Sequence, residues 1–196
     1  MLSVIIATHE SERALVPTLA ALVPGATAGL IGEAIVADAG SHDDTRAVAD
    51  VAGCRCIVSQ APLGERLKAA AATVRAPWLL FLRAGTVPDP GWVTATRHFI
   101  EQAELSGRAE SRAAAFRPPA ANDMLRPSLA EVLALMRIAL GGRPKPDQGL
   151  LIARRFYQTL GGHAGGDDAE QALLRRLGRR RIVMLGVSAA SPPQTI

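Results

Sequence analysis

The sequence predicts one α/β domain with a mostly parallel sheet flanked by helices. Short apolar runs rich in β-branched residues alternate with helical segments through the first half of the chain, which is typical of parallel strands joined by helices. Of the 196 residues, 48% are hydrophobic and 20% are charged, which is a globular composition. A chain of this length can bury a sizeable core without disulfides or bound metals. We therefore expect a single domain over residues 1–190, followed by a frayed tail at 191–196.

Four strands and three helices are predicted in the first half. The first strand is a continuous apolar run, which suits a strand buried on both faces. The first helix is expected to run to about Leu22, with Pro17 in its first turn. The second helix opens at the acidic pair 43–44 and should turn Val48 and Val51 inward. The predicted strands are 2–6, 33–37, 54–59 and 78–82, and the third helix is 64–74.

The second half is less regular. A Ser-Leu-Ala-Glu sequence at 128–131 has the pattern of a capping box, in which the Ser and Glu side chains satisfy free amide groups at the start of a helix. The helix it opens carries an apolar stripe as far as Leu140, and such a stripe packs in a core more often than on a membrane. A strand at 113–116 is expected at an edge of the sheet. The other predicted elements are helices at 90–106, 156–160 and 169–177 and strands at 149–153 and 182–185.

Ligands of parallel sheets bind at the carboxyl ends of the strands. In this chain the segments at those ends are 8–10, 38–41, 60–66 and 83–86. Asp38, at the end of the second predicted strand, is the strongest single candidate for a binding residue. Its carboxylate could accept hydrogen bonds from a ribose hydroxyl or a base N–H, or it could simply cap the turn that follows it. The residues alone leave both roles open.

The charge of the chain is concentrated in one region. The formal net charge is +4 and the pI is about 9.8. Such a positive excess is consistent with binding to an anionic small molecule, an anionic membrane surface or nucleic acid. Alternatively, the cations lie at a solvated helix end, where they interact favourably with the helix dipole. Only 4% of the residues are aromatic, which argues against a nucleic-acid surface built on stacked rings, so we expect no nucleic-acid partner. The clustered arginines are Arg175, Arg176, Arg179, Arg180 and Arg181.

The two cysteines and the N-terminus predict a compartment. Cys54 and Cys56 are separated by one residue in a predicted strand, so both point to one face. This spacing is neither a zinc pattern nor a disulfide framework, and it predicts core packing in a reducing compartment. The first residues lack the basic segment of a signal peptide, and no apolar run reaches the ~18 residues that span a bilayer. We expect a cytoplasmic protein, with peripheral membrane contact as the open alternative.

Several ordered motifs resemble those of family-2 glycosyltransferases. The opening L-S-V-I-I-A-T-H-E at 2–10 is similar to the family's S-V-I-I-P-T-x-N-E run, and V-A-D-A-G-S-H-D-D-T at 36–45 is similar to V-V-D-x-G-S-x-D-x-T. The apolar run 78–82 resembles the strand that leads into the family's D-x-D motif. Segments 147–155 and 160–163 resemble the G-D-Q and G-G-F stretches of a short bacterial subgroup. The resemblance covers nearly the whole chain and implies the GT-A fold, which is Rossmann-like and agrees with the strand–helix alternation.

The resemblance implies a glycosyltransferase that transfers a sugar from a nucleoside-diphosphate sugar to an acceptor that the sequence does not identify. Residues 1–90 would form the nucleotide-binding half and 91–190 the half with the acceptor and the base. The last predicted helix is similar to the one that carries the family's catalytic base. Glu170 is therefore the implied base, with Asp167 and Asp168 as rivals that could equally cap the helix. The implied substrate-binding residues are Thr8, Glu10, Asp38, Arg66 and Lys68.

The chain departs from the family pattern at the D-x-D motif, where Arg83, Ala84 and Gly85 stand. In the family those acids hold Mg²⁺ or Mn²⁺ against the pyrophosphate, so a divalent metal is implied while its usual ligands are missing. One hypothesis is that Arg83, with Arg66 or Lys68, binds the diphosphate in place of the metal. The alternatives are a protein that binds a nucleotide or a partner without transferring sugar, and a surface ion pair of Arg83 that is worth little.

Overall fold

The computed structural model describes residues 1–119 and 144–190, and the predicted helix at 128–140 and the tail at 191–196 lie outside them. The strands of the described part are β1 (Leu2–Thr8), β2 (Ile31–Asp38), β3 (Arg55–Val58), β4 (Trp78–Arg83), β5 (Val87–Pro88), β6 (Ala113–Arg117), β7 (Leu150–Ala153) and β8 (Ile182–Ala190). Its helices are α1 (Glu12–Thr27), α2 (Thr45–Val51), α3 (Leu63–Thr73), α4 (Trp92–Leu105), α5 (Arg154–Thr159) and α6 (Ala169–Leu177), with 3-10 turns at Pro146–Gln148 and Arg179–Arg181. None of these helices is long and apolar enough to cross a membrane.

The strands form one mixed sheet in the order β3-β2-β1-β4-β7-β6-β8-β5. The first four strands of this order are parallel to one another, and β6 is parallel to β8. β7 runs antiparallel to both β4 and β6, and β5 runs antiparallel to β8. The predicted α/β fold with a mostly parallel sheet is confirmed, with the correction that the sheet is mixed beyond β4.

The register of the central strands brings their carboxyl ends together. β1 lies between β2 and β4, with Thr8 opposite Asp38 and Ala7 opposite Arg83. β1 and β4 are buried along nearly their whole length, which explains their continuous apolar sequences. The polar residues at the ends of these strands are therefore neighbours at one edge of the sheet.

Helix α1 extends beyond its predicted end, to Thr27, and Pro17 lies in its interior rather than in its first turn. The last turns are fixed by Trp92 of α4. The Trp92 ring packs so closely on Gly25 that a Cβ there would lie 2.5 Å from a ring atom, and its Nε1 donates to the carbonyl of Ala21 at 2.9 Å. Burying such a ring contributes roughly 2–3 kcal/mol, enough to offset much of the local cost of an interior proline.

Three further expectations are wrong in detail. Val51 is 90% exposed, because the short helix α2 turns Thr45 and Ala49 toward the core instead. Strand β6 is not an edge strand, since it lies between β7 and β8. Strand β8 continues past its predicted end, because Gly186 interrupts the apolar pattern but not the pairing with β6, which passes through a register shift.

The two cysteines are free thiols that pack against the core, as predicted. Burial raises the pKa of Cys54, and it also raises the pKa of Cys56. The neutral thiol is therefore favoured at both positions, which makes a nucleophilic role unfavourable.

Candidate functional site

The candidate site lies at the loops that follow β1, β2, β3 and β4. A segment from the second half of the chain, residues 160–168, packs against these loops just before α6. The N–H of Gly64, at the start of α3, donates to the carbonyl of Gly166 at 3.1 Å. A Cβ on Gly64 would lie 1.8 Å from the carbonyl oxygen of Ala164. The two segments can therefore come this close only because residue 64 is a glycine. The acidic residues that follow are thereby brought to the strand-end loops.

The Asp38 carboxylate is fully buried and accepts its hydrogen bonds from the protein itself. Thr8 Oγ1 donates to Oδ1 at 2.8 Å, and Ser41 Oγ donates to the same oxygen at 2.6 Å. The N–H groups of Gly40 and Ser41 donate to Oδ2 at 3.0 and 2.8 Å. The turn-capping role, which the sequence left open, is therefore the one this carboxylate performs here. Its role in nucleotide binding stays a prediction.

The pKa of Asp38 reflects these partners. Burial favours a raised pKa, but the hydrogen bonds from Ser41, Thr8 and Gly40 together outweigh it and hold the pKa below its usual value. The carboxylate is thus a permanent negative charge at neutral pH.

Arg66 lies beside this charge and binds the strand ends. Its Nη1 donates to the carbonyl of Ala37 at 2.7 Å and to that of Thr8 at 3.2 Å. Burial lowers the pKa of Arg66, and the charge of Asp38 offsets part of that change. Its guanidinium therefore holds β1 and β2 together, and its predicted contact with a nucleotide stays a prediction. Lys68, two residues further along α3, is exposed.

Glu10 connects the first two loops at the surface. Its N–H donates to Ser41 Oγ at 2.9 Å, and its Oε1 accepts from the N–H of His42 at 2.9 Å. The bond from the His42 backbone lowers the pKa of Glu10. Glu10 also has φ +46, a left-handed conformation that is uncommon outside glycine. This backbone geometry lets Glu10 order the two loops around the Asp38 turn.

Arg83 and Glu170, predicted separately as the diphosphate contact and the base, form an ion pair with each other. Nε of Arg83 donates to Oε2 of Glu170 at 2.7 Å, and Nη2 contacts the same oxygen. The Glu170 side chain is 9% exposed, whereas that of Arg83 is 35% exposed. The pair connects the end of β4 to the first turn of α6.

Burial raises the pKa of Glu170, the Arg83 guanidinium lowers it only in part, and the charge of Asp147 adds to the increase. A carboxylate with a raised pKa suits a general base. One oxygen of Glu170 is nevertheless occupied by Arg83, and the side chain is buried. For Glu170 to take a proton from a substrate, the pair with Arg83 would have to open.

The two rival acids lie on the surface at the start of α6. Asp168 is the N-cap residue, but its side chain makes no capping hydrogen bond and pairs with Arg175 at 2.9 Å instead. Asp167 Oδ1 accepts a long hydrogen bond, 3.4 Å, from the N–H of Leu63, and its charge offsets a small part of the decrease that burial causes in the pKa of Arg66. Asp167 is therefore the exposed acid on the side of the strand-end loops.

Two residues that shape the site were missed from the sequence. Ser41 binds Asp38 and Glu10, and the G-S pair of the resembling motif could have indicated it. Thr18, a buried residue of α1, accepts a hydrogen bond from the N–H of Gly85 at 2.8 Å and so fixes the turn that follows Arg83. No local pattern indicates Thr18, because its partner lies 67 positions away.

The residues at the D-x-D position do not fit a divalent metal. Within residues 1–119 and 144–190, no group of three His, Cys, Asp or Glu side chains is placed to hold a metal ion. Mg²⁺ and Mn²⁺ prefer carboxylate and carbonyl oxygens. At the end of β4 the charged group is instead the guanidinium of Arg83, which repels a cation.

Solved structures with the same architecture come from glycosyltransferases. Glucosyl-3-phosphoglycerate synthase from Mycobacterium tuberculosis, with Mn²⁺, UDP and glucosyl-3-phosphoglycerate, matches with a TM-score of 0.68 at 22% identity, over 100% of this chain and 73% of that one. The chain has the GT-A fold. The same synthase with Mg²⁺ and UDP matches at 0.68 and 22%, over 100% and 72% of the two chains. A structure described only as that of a mycobacterial protein matches with a TM-score of 0.67 at 22% identity, over 99% of this chain and 68% of that one.

No family model matches this chain, and no curated protein matches it in sequence. The structural likeness confirms the fold that the sequence motifs imply. At this level of identity the chemistry has to be argued from the residues of this chain.

Proposed function

We propose that this protein is a glycosyltransferase that uses a nucleoside-diphosphate sugar, with Arg83 at the diphosphate in place of a divalent metal. The observation that carries the proposal is a partly exposed guanidinium at the end of β4, where the resembling family has its metal-binding acids. A guanidinium there places positive charge next to the leaving group and can form two parallel hydrogen bonds to phosphate oxygens.

In the proposed reaction, the acceptor's hydroxyl oxygen forms a bond to the anomeric carbon of the sugar, and the bond from that carbon to the diphosphate oxygen breaks. The nucleoside diphosphate leaves with the bonding electrons, and the hydroxyl proton passes to a carboxylate of the protein. Arg83 stabilises the negative charge that develops on the diphosphate.

Asp167 is the best-placed carboxylate for this proton, because it is exposed on the side of the strand-end loops. Glu170, the base that the resemblance implies, acts in this proposal as the residue that positions Arg83. Asp167→Asn should then lower kcat with little change in donor affinity, whereas Glu170→Gln should weaken donor binding as well. A fall in kcat alone for Glu170→Gln would return the role of base to Glu170.

The second candidate is a protein of this fold that binds a nucleotide or another protein without transferring sugar. It is favoured by how many polar groups of the site are already satisfied within the protein: the Asp38 carboxylate, the Arg66 guanidinium and the Arg83–Glu170 pair. The catalytic proposal is favoured by neighbours of the same fold, since the M. tuberculosis synthase binds UDP-glucose with phosphoglyceric acid. A UDP-sugar is accordingly the first donor to test.

A thermal-shift screen against UDP, GDP, CDP and dTDP sugars, with Mn²⁺ or with EDTA, tests the proposal. We expect one donor class to raise the melting temperature by the same amount in EDTA as in Mn²⁺. The rise follows because a ligand that binds the folded state and not the unfolded state stabilises the protein. Absence of a shift with every donor, or a strict requirement for Mn²⁺, would contradict the proposal. Slow hydrolysis of the bound donor distinguishes the transferase from the non-catalytic candidate.

A further inference from the structure

We propose that the arginine cluster at the end of α6 is a second anion site, which binds a phosphate-bearing group. A cavity of about 450 Å³ opens at this end of the helix, and no acidic residue is among the described residues that line it. α6 has nine residues, so its two ends lie about 13 Å apart, and Glu170 is at the other end. The arginines that line the cavity are Arg175, Arg176, Arg179, Arg180 and Arg181.

The backbone brings these arginines together. Gly178 ends α6 with φ +69, and the 3-10 turn Arg179–Arg181 folds back against the helix end. The N–H of Arg181 donates to the carbonyl of Gly178 at 3.2 Å, and Arg112 Nη1 donates to the carbonyl of Arg180 at 2.9 Å. The turn that carries Arg179, Arg180 and Arg181 is thus fixed through its backbone.

The helix dipole accounts for only part of the cluster. Arg175 and Arg176 lie in the last turn of α6, where a cation is favourable. Both also have partners, since Arg175 pairs with Asp168 and Arg176 Nη1 donates to the carbonyl of Leu160 at 2.7 Å. These two arginines would stabilise the protein without any ligand.

Arg180 and Arg181 have no such explanation. They lie beyond the helix, they are exposed, and their side chains have no hydrogen-bond or ion-pair partner in the described part of the chain. A concave surface lined by charges of one sign focuses a positive potential, and guanidinium groups match phosphate oxygens in pairs. A phosphate-bearing group supplies the missing counter-charge, and it could belong to a soluble molecule or to a lipid headgroup.

The test compares Arg180→Ala/Arg181→Ala with Arg75→Ala/Arg97→Ala, a control that removes the same charge from exposed positions elsewhere. Calorimetric titration with sodium pyrophosphate at low ionic strength probes a soluble ligand. Co-sedimentation with vesicles of phosphatidylcholine and phosphatidylglycerol in equal parts, against pure phosphatidylcholine, probes a headgroup. Both variants should keep the wild-type melting temperature, because the four side chains are exposed.

We expect the first variant, and not the control, to lose a pyrophosphate site or to bind at least about tenfold more weakly, since hydrogen bonds between charged groups are being removed. If the first variant loses binding to anionic vesicles while pyrophosphate binding is absent from all proteins, the site is supported with a lipid headgroup as its ligand. Equal affinities in the two variants, or no binding of either probe by the wild type, would overturn it. A difference between the two variants does not bear on Arg83, because both retain it, and its role is tested separately with nucleotides.

Discussion

The two buried carboxylates of the candidate site are held in opposite ways. Asp38 is bound by neutral donors from neighbouring strand ends and turns, and its pKa is lowered. Glu170 is bound by one cation that comes from 87 positions away, and its pKa is raised because burial outweighs that partner. Four neutral hydrogen bonds, two from hydroxyls and two from backbone N–H groups, keep the Asp38 carboxylate charged, whereas the single, partly exposed cation beside Glu170 is open to a further anion.

This difference divides the site into two parts. The protein itself holds the Asp38 turn in place, whereas a ligand can change the surroundings of the Arg83–Glu170 pair. The Asp38 carboxylate already accepts four hydrogen bonds from the protein. Arg83 is partly exposed, so a diphosphate can bind its guanidinium while Glu170 holds it in place. The negative charge of the diphosphate would then raise the pKa of Glu170 further.

The largest effect is expected for Asp38→Ala, which leaves two hydroxyls and two N–H groups without their acceptor. We expect a loss of about 3 kcal/mol in the free energy of unfolding at pH 7, measured by urea denaturation. Because the pKa of Asp38 is lowered by folding, its contribution is present above the unfolded pKa and is lost as the pH falls through the folded value. Asp44→Ala, an exposed acid of the same loop, is the control and should change stability by less than about 0.5 kcal/mol. Equal effects of the two substitutions would mean that the hydrogen bonds of Asp38 do not stabilise the fold.

A smaller effect that depends on pH is expected for Arg83→Ala. Removing Arg83 leaves Glu170 buried without its cation, which should cost about 2 kcal/mol at pH 8, a value reduced for the partial exposure of Arg83. Folding raises the pKa of Glu170, so this loss should grow as the pH rises through the folded value and shrink as the pH falls below it and the carboxyl becomes protonated. Urea denaturation over a series of pH values from 8 downward measures it. The double variant Arg83→Ala/Glu170→Gln should show no such pH dependence, and if it does, the carboxyl of Glu170 is not the titrating group.

A third buried group, His163, must be separated from the carboxylates in any pH experiment. It packs edge-on against Phe81, and its Nδ1 lies 2.8 Å from the Tyr157 hydroxyl. Burial lowers its pKa to about 4. Its contribution is therefore complete above pH 6.5 and is lost as the pH falls toward 4, a loss of about 2 kcal/mol by pH 5. His163→Gln should remove this part of the pH dependence and exposed His98→Gln should not, and unfolding curves at pH 7 and pH 5 decide between them.

Sequence periodicity predicted where the helices and strands lie along the chain better than it predicted which elements lie next to each other in the fold. α6 begins and ends where its apolar spacing indicates, at Ala169 and Leu177, and the first four strands were all located. The position of β6 between β7 and β8 was not predicted, because alternation shows which residues form a strand and not which strand lies beside it. Even the approach of the segment before α6 to Gly64 depends on tertiary packing that no local pattern indicates.

The site residues follow the same rule. The position of Asp38 at a strand end was predictable because its partners Gly40 and Ser41 are local. The pairing of Arg83 with Glu170 was not predictable, since it joins two distant segments, although the family resemblance points to each residue separately. A long-range ion pair of this kind becomes visible only when the fold is known.

Arg83 as the substitute for a metal is best tested by the affinity for UDP in the presence of EDTA, measured by calorimetric titration of the wild type, Arg83→Ala and Arg97→Ala. We expect the wild type and the Arg97 control to bind UDP equally without metal, and Arg83→Ala to bind at least about tenfold more weakly, since it loses charge-assisted hydrogen bonds to the diphosphate. Equal affinity of all three proteins, or binding that appears only when Mn²⁺ is added, would contradict a role for Arg83 in place of the metal.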